Sequence, residues 1–193
     1  MYVVRITRLI FLISFTTMAQ ELPFSSIPPS AELYSAGTSI SRMIQGLGFR
    51  YYWATDGLRE QDLSYRPTSE AMNTMETIQH IYDLSKTILN TAKNTPSLRP
   101  SLKPPLTLEE LRGKTLNHLK EAATLFENIH EAQLDYLNII FERRGKQTKF
   151  PVWNLINGPI SDAIYHTGQV VSFRRTSGNP ISKGGTVFLG VKN

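Results

Sequence analysis

Asp162 and His166 stand four residues apart in the run Ser161-Asp162-Ala163-Ile164-Tyr165-His166. On a helix, residues i and i+4 share a face, with Cβ atoms about 5–6 Å apart. A carboxylate and an imidazole spaced in this way can close on one metal ion. His80, in the helix-favouring segment Thr77-Ile78-Gln79-His80-Ile81-Tyr82, is a second imidazole. One carboxylate and two imidazoles make a three-donor site that leaves coordination positions open for water or a reactant. The same spacing also suits an ordinary hydrogen bond within the helix, and spacing alone does not choose between the two.

Each neighbour of these residues has a plain reading beside a functional one. Asp162, placed in a first helical turn, is also favoured there by the helix dipole. Glu76 repeats the carboxylate-x3-histidine spacing before His80, but pairing with Asn73 in a capping box explains it more simply. Gln169, one turn after His166, can orient a ligand or hydrogen-bond a bound water, or pack between helices. Tyr51 and Trp53 are candidates for the pocket mouth or for simple core, and Arg66 is a candidate contact for an anionic substrate. His118 lies off the apolar stripe of its helix and is expected to be solvated. His130 sits at that helix's C-terminal end, where a cation suits the dipole. No glycine-rich phosphate loop precedes a helix, and no Ser–His–Asp set is visible. Cysteine is absent from all 193 residues, which excludes disulfides, thiolate metal sites and thiol nucleophiles. Any metal must therefore use nitrogen and oxygen donors.

Four amphipathic segments must position these side chains. The first predicted helix is capped by Ser30 and buries Leu33, Ile40, Ile44, Leu47, Tyr51, Ala54 and Leu58 at three-and-four spacing. Gly46 and Gly48 in it mark close packing or a bend. The second runs from Asn73 to about Lys93, and a polar loop, 59–72, leads into it. Residues 94–106 hold four prolines and read as a linker. Thr107 and Glu110 form a capping box for the third helix. Tyr136 to Phe141 reads as a strand, Arg144-Gly145 as a turn and residues 148–150 as a short return strand. The fourth helix starts at about Trp153 or Pro159 and stops at Ser177, before Gly178 and Pro180.

The stretch from Trp153-Asn154-Leu155-Ile156-Asn157-Gly158-Pro159 through Asp162, His166 and Gly168-Gln169 to Arg174-Arg175 and Gly178-Asn179-Pro180 resembles the last core helix of the DinB-like superfamily of metal-binding four-helix bundles. Upstream, Asp62-Leu63-Ser64-Tyr65-Arg66-Pro67 followed by Ile78-Gln79-His80-Ile81 resembles that superfamily's entry to its second helix and its first metal ligand. The resemblance spans residues 30–182. The superfamily's usual pattern has three histidines, two of them four apart on the last helix, and here Asp162 replaces the first of that pair. The resemblance implies an all-α fold, an up-down-down-up four-helix bundle with a small β-hairpin between helices three and four. It also implies a divalent cation (Zn, Ni, Mn or Fe) held by His80, Asp162 and His166. Superfamily members of known activity are thiol-dependent transferases, isomerases and related metal enzymes. Activation of a metal-bound water or thiol, for hydrolysis or group transfer on a small molecule, is the function it implies. Apart from the ligands no general base is evident, so a non-catalytic binding module with a structural or vestigial metal stays open.

Residues 1–19 read as a secretory signal peptide: Arg5 and Arg8, then the apolar run Leu9 to Phe15, then small residues near Ala19. That run is too short for a membrane span, which needs about 20 residues. The expectation is a secreted or periplasmic chain with residues 20–29 as an extended lead-in and 183–193 as a tail. Formal net charge is +5, and loss of Arg5 and Arg8 leaves +3. So mild and scattered a charge gives no nucleic-acid footprint. A small-molecule partner is expected, and a homodimer is compatible with the composition.

Overall fold

A computed structural model describes residues 21–102 and 105–193. The proposed signal peptide lies outside the described residues. The described residues form seven α-helices: α1 (Ala36–Thr55), α2 (Glu60–Ser64), α3 (Thr74–Ala92), α4 (Leu108–Glu127), α5 (Glu131–Leu134), α6 (Trp153–Leu155) and α7 (Ser161–Thr176). Two small sheets accompany them. One has the order β1 (Ser97–Leu98), β2 (Asn138–Arg143), β3 (Lys146–Pro151), and the other pairs β4 (Gly185–Thr186) with β5 (Val191–Lys192). The fold is mostly helical. Among the described residues no helix is long and apolar enough to cross a membrane.

The four long helices pack around one core, with α1 against α4 and α7, and α3 against α4 and α7. Side-chain contacts fix their directions. Arg112, early in α4, donates to the Tyr52 carbonyl and Asp56 at the end of α1, so α1 and α4 are antiparallel. Arg174, late in α7, donates to the carbonyls of Ala54 and Asp56, so α1 and α7 run the same way. Ser85 meets His118 and Lys93 meets Glu121, which makes α3 and α4 parallel. The core is a single apolar cluster including Ile44, Leu47, Ile78, Ile81, Ile88, Leu116, Leu119, Phe126 and Val170.

Capping chemistry sets most boundaries. Asn73–Glu76 and Thr107–Glu110 close reciprocal boxes at the starts of α3 and α4, as the sequence predicts. The first helix starts later than expected. Its cap is Ser35, reciprocally bonded with Thr38, and Leu33 lies exposed before it. The lead-in is not extended throughout: residues 23–26 turn, and Phe24 is buried against α1. A Cβ at Gly48 would overlap the Phe24 ring, so this glycine serves close packing. The polar loop contains α2, organised by Asp62. The linker contributes β1, which pairs parallel with β2 and makes the hairpin a three-stranded sheet. The β2–β3 turn places Arg144 at φ 50° and Gly145 at φ 76°, the left-handed pair that a tight hairpin requires.

Candidate metal centre

His80 lies in the second turn of α3, and Asp162 and His166 lie on successive turns of α7. A kink aims α7 at α3. Pro159 has no N–H to give a helix, and Gly158 adopts φ −97° and ψ −109°, outside helical space. The turn around them is π-helical, Ile156–Ile160, with the Ser161 hydroxyl donating to the Ile156 carbonyl at 2.7 Å. After it the chain resumes an α-helix at Ser161. Asp162 makes no cap to its own helix. Its carboxylate faces outward between two imidazoles instead.

The three side chains converge. His80 Nε2 is 3.3 Å from Asp162 Oδ2, and His166 Nε2 is 3.3 Å from Asp162 Oδ1. The two imidazole rings stand nearly perpendicular, at 89°, with centroids 4.6 Å apart. One donor atom from each residue lies within 4.8 Å of the others. Donors about 2.1 Å from a shared tetrahedral ion sit roughly 3.4 Å apart. Both carboxylate–imidazole spacings match that figure, each imidazole facing its own carboxylate oxygen. Two nitrogens and an oxygen suit a borderline divalent cation, so the donor set can hold a metal ion. The side chains of His80 and Asp162 are 39% and 44% exposed, whereas that of His166 is 12% exposed. Solvent thus reaches the group from the side of His80 and Asp162.

Gln169 accounts for the orientation of His166. Its Oε1 lies 2.7 Å from His166 Nδ1, while its Nε2 donates to the Tyr165 hydroxyl at 3.2 Å. With Oε1 facing the ring as the acceptor, Nδ1 carries the proton. That tautomer leaves the Nε2 lone pair on the side of Asp162, free to coordinate a cation.

Several candidates have other duties. Glu76 Oε2 accepts from the Asn73 backbone N–H and from Arg66, which makes it a cap rather than a ligand. Arg66 also donates to the Ala71 carbonyl, so it fixes the 65–72 loop. Glu76 and Arg66 nonetheless line a hollow of about 550 Å³ that opens on His80. Tyr51 and Trp53 do not wall the site. Tyr51 is fully buried in the core beside Thr115, where burial pushes its hydroxyl pKa well up. Trp53 donates to the Ser25 carbonyl and lies under Lys192, tying lead-in to tail. The expectation of a solvated His118 also fails. Its ring stacks on Tyr82, and its Nδ1 is 3.1 Å from Ser85 Oγ, whose own proton goes to the Tyr82 carbonyl. Desolvation, with Lys86 next, pushes His118 down to about 4. His130 precedes α5 and takes no part in the site.

A second hollow, about 490 Å³, opens on Asp162 and is lined by Leu84, Thr87, Arg99, Phe141, Pro159 and Tyr165 among others. Its arginine and its tyrosine escaped the sequence reading. Arg99 sits in a proline-rich stretch with no periodic signal, and Tyr165 is merely the residue before a histidine.

Comparison with known proteins agrees with this architecture. A crystal structure of a DinB-like protein, YjoA from Bacillus subtilis, superposes with a TM-score of 0.54 at 16% identity. The match covers 72% of this chain and 92% of that one. The fold is therefore DinB-like. No protein-family model matches the sequence, and no curated protein matches it either.

Proposed function

We propose that His80, Asp162 and His166 bind one divalent cation within a four-helix bundle of the DinB-like type, formed by α1, α3, α4 and α7. The protein acts on a small molecule by hydrolysis or group transfer and is exported through the N-terminal segment. One observation carries the reading: two helices bring three ligand-type side chains together, with 3.3 Å between each imidazole and the carboxylate, at a place solvent can reach. A bound divalent cation supplies Lewis acidity, which draws the pKa of a coordinated water or thiol toward neutrality.

The protein's own residues do the rest. His166 is held in one tautomer by Gln169. Asp162 adds a negative charge and a harder oxygen donor than a third imidazole would. The preference moves accordingly toward Mn²⁺, Fe²⁺ or Zn²⁺ with retained water. The exposure of His80 and Asp162 separates this reading from a sealed structural site, which would keep substrate out.

The test is metal analysis of untagged protein, followed by calorimetric titration of the parent, Asp162→Ala and Asp162→His. Asp162→Ala is expected to lose most of its metal. Asp162→His is expected to keep the fold and bind Ni²⁺ or Zn²⁺ more tightly. Equal metal affinity in the parent and Asp162→Ala defeats the assignment. Export has its own check, because N-terminal sequencing of the protein from its native host should begin at or near Gln20 and not at Met1.

A further inference from the structure

Arg99 is a cation lining a hollow that Asp162 also lines. Its backbone N–H donates to the Glu142 carbonyl at 2.8 Å, which anchors the residue at the end of β1. Its guanidinium lies over the Phe141 ring, 4.5 Å from the centroid, and Nη2 donates to Thr87 Oγ1 at 3.2 Å. Among the described residues no acid pairs with it. Asp83 is engaged by Ser101 and Lys86, and the Glu142 carboxylate accepts from Gln147. Residues 1–20 and 103–104 contain no Asp or Glu. A guanidinium offers five N–H donors in a planar fork suited to carboxylates, and the contacts to Thr87 and Phe141 leave most of that fork unused.

Arg99 and Asp162 line the same hollow of about 490 Å³. Leu84, Phe141, Pro159 and Tyr165 give it apolar and aromatic walls, beside the polar Thr87, Asn157 and Ser161. His80, Leu84 and Thr87 follow one another along one stripe of α3, at i, i+4 and i+7. Thr87 is therefore about 10 Å along the helix axis from His80. A molecule held at Arg99 would need that reach to bring a second group to the triad. Arg66, the arginine that the sequence suggested for such a task, is committed to the Ala71 carbonyl and Glu76.

We propose that this hollow binds a small organic acid with an apolar body, its carboxylate on Arg99 and its other end directed at the His80–Asp162–His166 group. The reactive end rests on the metal reading above; the carboxylate contact does not. Binding can accordingly be tested on metal-free protein. The probe is phenylacetate, titrated into the full chain and followed by NMR chemical shifts, with phenylacetamide as the uncharged counterpart and inorganic phosphate as a competing anion.

Arg99→Gln is expected to weaken phenylacetate at least tenfold, and Arg99→Lys to weaken it less. Phenylacetamide should bind the parent and Arg99→Gln alike. Circular dichroism and metal titration of Arg99→Gln should match the parent, which excludes misfolding. Phenylacetate binding that is absent from the parent, or equal in the parent and Arg99→Gln, overturns the proposal. Tighter Arg99-dependent binding of phosphate than of phenylacetate overturns the carboxylate assignment. Failure of the metal titrations alone would leave the Arg99 result standing, so the two readings fail separately.

Discussion

Replacing Gln169 by leucine tests how the candidate centre is organised, because it removes the hydrogen bonds to His166 and to the Tyr165 hydroxyl and no ligand. Gln169 Oε1 accepts from His166 Nδ1 at 2.7 Å, a short bond to a side chain only 12% exposed. Without it His166 is free to exchange tautomers and to rotate, and Nε2 is no longer held toward Asp162. A lost hydrogen bond of this kind costs the metal-free protein about 0.5–1.5 kcal/mol. The effect on a metal is larger, since coordination polarises the ring and strengthens the Nδ1–H donor. Loss of such a partner typically weakens affinity about 10–100-fold, or roughly 1.4–2.7 kcal/mol. Gln169→Glu should do the opposite, because a carboxylate makes a stronger acceptor for the same proton. The assay is competition with a chelator of known affinity, run with Zn²⁺ and Mn²⁺ on the three proteins, beside thermal unfolding of each in the metal-free state. Gln169→Leu is expected to lose metal affinity while its metal-free stability changes by no more than about 1.5 kcal/mol. Affinity within about threefold of the parent would refute the reasoning, since one hydrogen bond could not then be orienting the ligand.

Two further predictions concern the scaffold. Asp62 is buried and accepts from the Arg59 backbone and guanidinium, Ser177 and Asn179, with Arg59 foremost in holding its carboxyl well below the usual range. Asp62→Ala should cost about 3 kcal/mol, the low end for a broken buried pair because Arg59 is half exposed. Urea unfolding at neutral pH measures that loss, and the gap to the parent should shrink as pH falls below about 4, where the unfolded carboxyl protonates. His118 has the opposite linkage. Its folded pKa of about 4 lies below the unfolded value near 6.5, so the unfolded chain binds the extra proton between them. Stability should therefore fall on acidification from about pH 6.5 to 4, by something on the order of 2–3 kcal/mol. His118→Phe, which can still stack on Tyr82, should flatten that slope in a pH series of denaturant melts; an unchanged slope would assign the effect to another group.

Local chemistry was written in the sequence wherever it depends on neighbours along the chain. The capping boxes at Asn73 and Thr107, the turn at Arg144-Gly145 and the stop at Gly178 are all short-range, and all are found where the residues indicate. The i, i+4 placement of Asp162 and His166 is likewise a property of one helix. The start of α1 was missed because Ser30 and Ser35 are equally able to cap, and the choice follows from Thr38 closing a reciprocal box.

Only the tertiary structure decided the rest. Whether His80 faces the pair depends on how α3 packs against α7 and on the Gly158–Pro159 kink that sets the angle of α7. Spacing put Tyr51 in the buried stripe of the first helix, where it lies, but could not place His118, because its burial depends on which helix lies opposite. Arg99 sits in a stretch without periodicity, and it reaches the edge of the candidate site because β1 pairs with β2. Sequence spacing thus determined which residues share a helix face, whereas packing between helices and strands, which couples residues some 80 positions apart such as His80 and Asp162, determined which faces meet.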